Sequence, residues 1–251
     1  MFLEEIKNKK EFRGLSDAFV SRVLLLCSTN YDVTKEKEKK MLVKEARAKL
    51  RELYSAYQLP GYSRKENYLK NMEHWGDKAV ARRILSLHMS TKERVPYYDP
   101  LYAKLRKNVP FKTVLDLGCG LNVFSLPWMG YVAYYGIDVN KDDVDFCNTY
   151  LQKFGLQGGV RWGDILSVES FVHTDICFMF KMLESLEALE RGSTAKLLER
   201  ITSPYIIASF ATRSLGGGKV ISAKRLKWFK ELVPHAEQFT LGSEVYFLIK
   251  K

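Results

Sequence analysis

Val114-Leu115-Asp116-Leu117-Gly118-Cys119-Gly120 is the stretch on which the reading of the fold turns. An apolar run of strand length ends near an acid and breaks at once into Gly-x-Gly. Without Cβ atoms, such a turn lets the main chain approach a ligand closely. Tyr134-Tyr135-Gly136-Ile137-Asp138 repeats the pattern, an apolar run closed by an acid, and a helical pattern over 144–154 follows. Further strand-like runs fall at 159–162, 176–180 and 205–210, with helical segments at 184–190, 193–201 and 222–232 between or after them. Strands alternating with helices imply right-handed βαβ units and a parallel sheet covered on both faces. Runs at 237–241 and 244–249, joined by Gly242-Ser243, read as a closing hairpin that adds an antiparallel strand.

Residues 1–108 read differently, as helices without β-type alternation. Ser16 is placed to cap a helix over 17–27, with Phe19, Val20, Val23, Leu24 and Cys27 at helical spacing. Thr34 can cap a longer helix to about residue 57, with Leu42, Ala46, Leu50, Leu53 and Tyr57 on one face. After the breaker Pro60-Gly61, shorter helices fit 64–73, 77–88 and 100–107. The expected organisation is a helical domain over 1–108 and an α/β domain over 109–251.

The charge divides at nearly the same place. The chain has 251 residues, 40 Lys+Arg and 29 Asp+Glu; residues 1–110 hold 24 and 14 of these, the remainder 16 and 15. A basic surplus confined to the helical part suggests a polyanion such as nucleic acid, where each phosphate contact releases a counterion. A solvated helical surface explains Lys35-Glu36-Lys37-Glu38-Lys39-Lys40 and Arg82-Arg83 about equally well. At 46% hydrophobic, the chain is no disordered polyelectrolyte. It has neither a run long enough to span a bilayer nor a basic-then-apolar leader at its start. Cys27, Cys119, Cys147 and Cys177 form no Cys-x-x-Cys pair, so neither a metal site nor a disulfide framework is expected. A reducing, cytoplasmic setting is the default.

The glycine turn narrows the ligand. Gly-x-Gly-x-x-Gly is not completed and no P-loop is present, which disfavours a pyrophosphate cradle. A nucleoside carrying an amino-acid group, as in S-adenosylmethionine (SAM), fits a short turn better. Asp138, eighteen residues past Gly120, can accept from both ribose hydroxyls. Asp164 can receive the adenine amine, with Ile165 against the ring. Each sign is weak alone; three in order, spaced by βα units, favour a methyltransferase.

Leu87-His88-Met89-Ser90-Thr91-Lys92-Glu93-Arg94, then Asp116 to Asn122, Phe180-Lys181-Met182-Leu183 and Ser209-Phe210-Ala211-Thr212-Arg213-Ser214-Leu215-Gly216-Gly217 occur in that order. Together they resemble the Arm/Rmt family of aminoglycoside-resistance 16S rRNA methyltransferases, over most of residues 80–251. The resemblance implies a class I, Rossmann-like fold with a seven-stranded, mostly parallel sheet. It implies SAM as cofactor and methylation at N7 of a decoding-site guanine in the 30S subunit, which blocks 4,6-disubstituted deoxystreptamine drugs. On this reading Arg94 pairs with the methionine carboxylate of SAM, Asp116, Gly118, Cys119 and Gly120 form the cofactor turn, and Asp138 holds the ribose. Asp164 and Ile165 then hold the adenine, Lys181 and Met182 also meet the cofactor, and Asn122 and Lys181 place the guanine. Lys39, Lys40, Arg82, Arg83 and Arg213 would meet RNA, and the protein would act as a monomer. The chain departs from the family pattern at Val123, which replaces a proline, at Lys219-Val220-Ile221, where Gly-Met-Glu is absent, and at Glu190, where relatives carry Gln.

Guanine N7 has a lone pair and no proton, so a site without an evident base suffices. No Asp/Asn-Pro-Pro-aromatic motif is present to grip an exocyclic amine. Several residues have plainer readings: His88 as a structural histidine, Cys119 as a filler, and Trp75, Trp128, Trp162 and Trp228 as core. Arg213 could sit in a surface ion pair, and Gly216-Gly217-Gly218 is a mobile loop or a linker. Methylation of another RNA, a small molecule or a protein, and a catalytically silent RNA-binding protein, stay as alternatives.

Overall fold

Ser16 accepts a hydrogen bond from the Phe19 amide and so opens the first long helix, as its position predicts. The computed structural model describes residues 2–54, 58–213 and 219–251. Tyr57 and Gly216-Gly217-Gly218 of the sequence reading lie outside the described residues. Helices α1 (Phe2–Lys7), α2 (Asp17–Ser28) and α3 (Glu36–Leu53) pack on one another. Ile6, Phe19, Val20, Val23, Leu42, Val43, Ala46 and Leu50 form a second core, which Leu189 joins from the α/β part. Thr34 does not cap α3; its amide and hydroxyl both donate to Asp32 in a turn, and Lys35 takes the cap position.

The next helices belong elsewhere. Helices α4 (Lys65–Lys70), α5 (Lys78–Leu85) and α7 (Tyr98–Asn108) share one core with a face of the sheet, and α6 (Met89–Arg94) connects α5 to α7. Leu69, Ile84, Tyr98, Leu101 and Leu105 meet Val114, Tyr134 and Phe178 there. Secondary structure thus changes at residue 108 while the packing runs on across it; the break between cores falls between α3 and α4. Asp77 caps α5 through the Ala79 and Val80 amides. The helix stops at Leu85, and α6 is a separate turn that periodicity alone does not reveal.

The remainder alternates: β1 (Thr113–Leu117), α8 (Leu126–Met129), β2 (Ala133–Asp138), α9 (Lys141–Lys153), β3 (Gly158–Trp162), β4 (Ile176–Phe180), α10 (Leu183–Leu189), α11 (Ser193–Arg200), β5 (Tyr205–Ala211), α12 (Lys227–Leu232), β6 (Glu237–Leu241) and β7 (Glu244–Lys250). The seven strands lie in the order β3-β2-β1-β4-β5-β7-β6. All pairs are parallel except those of β7 with β5 and β6. This is the expected doubly covered sheet with its antiparallel hairpin. Strand alternation sends Val114 toward the α4–α9 layer, and Leu115 and Leu117 toward the face packed by Leu183, Leu197 and Phe229. The order reverses between β1 and β4, and a crevice opens at the carboxyl ends of strands at such a point.

Candidate active site

At that crest the turn after β1 is held by its neighbour strand. The amides of Gly118 and Cys119 both donate to the Ile137 carbonyl, at 2.9 and 3.2 Å. Gly118 (φ +67°) and Gly120 (φ +47°) are left-handed, where a side chain is strained. A Cβ on Gly118 would stand 3.4 Å from Met182, in the cavity that opens over the turn. Asp138 closes β2 beside it. One of its oxygens accepts the Gly120 amide at 2.8 Å and the other the Asn140 amide at 3.0 Å. Burial, then the nearby Asp143 carboxylate, push the Asp138 pKa up to about 6, so it is ionised at neutral pH.

Of the residues expected at the cofactor, Gly118, Gly120, Asp138, Ile165, Lys181 and Met182 line this cavity. Sequence reasoning missed its roof, Phe19 from α2 with Leu53 and Tyr54 at the end of α3. It missed Leu186 and Leu189 of α10 as well. No local pattern marks them, because each reads as an ordinary core position of its own helix. His88 also lines the cavity, and burial lowers its pKa to about 4, so the imidazole is neutral in the working range.

Five residues expected at the cofactor or the base do not line it: Asp116, Asn122, Cys119, Asp164 and Arg94. Asp116 is 1% exposed and points with Val114 into the α4–α9 layer, where Asn122 and Tyr134 donate to it. Burial raises its pKa to about 6. Asn122, assigned to the guanine, is buried in the same network and accepts from Tyr98. Cys119 packs against the sheet, where its sulfur lies 2.9 Å from the Cβ position of Gly136; burial pushes its thiol pKa up, as the filler reading requires. Asp164 caps the turn after β3 through Leu166 and binds Arg22 of α2 at 3.0 Å, so its carboxylate is taken up by protein donors. Glu190 binds the same Arg22 at 2.8 Å.

Arg94 lies outside the cavity lining, in a buried ion pair. Its guanidinium is 1% exposed, stacks 4.4 Å over Phe180, and donates through Nε and Nη2 to Oε2 of Glu244 at 3.3 and 3.2 Å. A charge so deeply buried requires a counter-ion, and the first residue of β7 supplies it. Ser209 donates to the same oxygen. Burial pushes the Glu244 carboxyl up, but Arg94 and Lys181 outweigh it and hold the pKa below the usual glutamate value.

Lys181 completes this cluster. It is the one non-glycine residue with positive φ among the described residues (φ +56°), and such strain gathers at functional sites. Its ammonium meets Glu244 at 3.2 Å and Glu93 at 2.5 Å. Glu93 in turn lines a groove beside the cavity, with Lys92, Tyr97, Arg213 and the β6–β7 turn.

A second buried knot ties the helices to the crest. Asp143 of α9 accepts from Tyr54 at 2.9 Å, Tyr62 at 2.6 Å and Lys65 at 2.6 Å, and Asn140 donates to Tyr54. Of the residues predicted to meet RNA, Lys40, Arg82, Arg83 and Arg213 are exposed, and Arg82 lies over Trp128. Lys39 is paired with Glu36. Trp128 is buried as predicted, whereas Trp162 is 39% exposed. No helix among the described residues is long and apolar enough to cross a membrane, and no cluster of metal-ligating side chains is found among them.

A family described as ribosomal RNA methyltransferase (FmrO) matches residues 22–233 of this chain. A 16S rRNA (guanine(1405)-N(7))-methyltransferase of Serratia marcescens is 30% identical, over 99% of this chain and 97% of its own length. One of the same description from Micromonospora rosea is 34% identical over 69% of this chain and 68% of that protein. Among solved structures, the 16S rRNA methyltransferase RmtF in complex with S-adenosyl-L-homocysteine superposes with a TM-score of 0.86 at 27% identity, covering 100% of this chain and 96% of that one. The 16S rRNA methylase RmtB gives 0.82 at 27% identity, with coverage of 100% and 97%.

Proposed function

Since the chain belongs to the FmrO family of ribosomal RNA methyltransferases, we propose that it methylates N7 of a decoding-site guanine in 16S rRNA with SAM as donor. The observation that carries the cofactor is the crest itself: a glycine turn with room above it, a buried carboxylate at the end of the neighbouring strand, and apolar walls from Ile165, Met182 and Leu186. These residues suit an adenosine carrying an amino-acid tail. Asp138 would hold the ribose hydroxyls, and Ile165 with Leu186 and Leu189 would enclose the adenine. When bound, SAM supplies an electrophilic methyl group: the N7 lone pair forms the new N–C bond, the C–S pair stays on sulfur, and no proton moves.

That chemistry asks of the protein alignment and exclusion of water. Cys119 is buried and burial raises its thiol pKa, so no thiolate competes as a nucleophile. Lys181 at the cavity wall would place the base. Residues 1–108 serve as the docking part, with basic surface offered to rRNA in the assembled 30S subunit. Such a target places the protein in the cytoplasm, and one subunit suffices for one site. Methylation of this guanine would confer aminoglycoside resistance.

Tritiated SAM with purified 30S subunits tests the reading. Label on 16S rRNA that maps to N7 of one decoding-site guanine is expected. Tight S-adenosylhomocysteine binding without rRNA label would overturn the substrate and leave the cofactor in place.

A further inference from the structure

The hydrogen bond between Glu93 and Lys181 stands where the cofactor cavity meets the adjacent groove: Lys181 lines the first and Glu93 the second. The partition is polar on both sides, and its lysine is held in the strained backbone conformation noted above. We infer that this pair reads the target base, with the groove beside Tyr97 receiving a guanine whose edge is matched group by group to Glu93 and then Lys181. The inference deepens the guanine-N7 reading and rests on it.

The match lies in the order of the groups. Along its edge guanine presents N2–H and N1–H donors, then the O6 acceptor, then N7. From groove to cavity, the protein presents a carboxylate acceptor and then an ammonium donor. Glu93 would accept from N1–H and N2–H while Lys181 donates to O6, which leaves N7 foremost toward the cavity. An ammonium has three donors; one is hydrogen-bonded to Glu93 and Glu244 lies in ion-pair contact at 3.2 Å, so a donor is left for O6. Carboxylate Oε2 of Glu93 holds Lys181, and its other oxygen is the acceptor for the base. Adenine reverses both groups. Its N1 lone pair would face Glu93 and its N6 amine would face Lys181, so neither bond forms and both protein groups go unmatched.

The same arrangement favours the reaction as well as the base. As N7 acquires the methyl group, the ring gains positive charge and N1–H becomes a stronger donor. The bond to Glu93 therefore tightens in the transition state, which is the kind of interaction that raises rate. The Lys181 charge would oppose a cation so close to it, and Glu93 and Glu244 offset that charge. Lys92 and Arg213 at the groove suit the flanking phosphates.

The test is Glu93→Gln, with Glu93→Asp beside it, on 30S subunits carrying the natural guanine or an adenine in its place. E93Q should lower kcat/KM on guanine subunits about 10- to 100-fold, the worth of a hydrogen bond to a charged group. Its S-adenosylhomocysteine affinity should stay within about twofold, because a change confined to the base pocket leaves the ribose-binding residues alone. E93D should recover part of the rate, and the guanine-over-adenine ratio should shrink in E93Q. E93Q that keeps wild-type rate and selectivity overturns the assignment. Equal loss of transfer and of S-adenosylhomocysteine binding also overturns it, since that marks a support for the cavity. Wild-type protein that binds S-adenosylhomocysteine but labels no guanine N7 removes the underlying reading, an outcome visible before any variant is made.

Discussion

The two halves of the sheet's crest are built on opposite principles. Over β1 and β2 the wall is mostly glycine and apolar side chain, with two carboxylates: Asp138, held by two backbone amides, and Asp143, held by Tyr54, Tyr62 and Lys65. Over β4, β5 and β7 it is a chain of alternating charge, Glu93–Lys181–Glu244–Arg94, most of it withdrawn from solvent. The first half leaves space beside Asp138, an acceptor fixed by the backbone, as an uncharged nucleoside demands. In the second, each ion is fixed in direction by its neighbours. One half is a receptacle and the other an oriented wall.

The sharpest break in that comparison is Glu244→Ala. It strands Arg94 and Lys181 without their shared counter-ion, and uncompensated buried charge costs about 3–5 kcal/mol; thermal denaturation should register it. A fall under about 1 kcal/mol would mean the cluster is well hydrated. On the other half, Asp138→Ala should leave the fold standing but weaken S-adenosylhomocysteine about 100-fold by calorimetry, because hydrogen bonds to a charged acceptor are removed. Equal affinity in the variant would remove Asp138 from the ribose.

A finer contrast lies in pH. The Asp138 pKa is raised to about 6, so the folded protein holds a proton there that the unfolded chain has released by pH 5. This contribution to stability is therefore largest in acid, declines as pH rises through about 6, and is flat above. Cofactor affinity runs the other way. It should weaken below pH 6, by at most about tenfold per unit for one proton, and Asp138→Asn should flatten that limb. The smallest effect is at the surface. Replacing Arg82 and Arg83 should cost a few-fold in 30S affinity and reduce its salt slope by about one for each phosphate no longer neutralised, with cofactor affinity unmoved. Lys39 and Lys40 should do less, because Glu36 already engages Lys39.

What could be read beforehand divides along the same line. The glycine half was legible: turns need glycine for conformational reasons that are written in the chain, and Asp138 terminates a strand where alternation no longer turns it inward. Asp116 is only two residues from Gly118, yet it lies within β1, and its side chain follows Val114 into the core. Asp164 and Glu190 read as pocket residues until Arg22, far away in sequence, is brought to both. Arg94 has the residue type for a carboxylate ligand, and a carboxylate does hold it, but that carboxylate belongs to β7.

By itself the chain determined the order of strands and helices, the closing hairpin, the glycine turn and the acid beside it, because these depend on spacing, backbone freedom and apolar period within a few residues. Tertiary structure alone decided which charges face the cavity, that α2 and α3 roof it, and that Glu93 stands at its border. Partners in a buried ion cluster are set by which strand ends meet in space, and strand-end neighbours such as Lys181 and Glu244 are separated by more than sixty residues of chain.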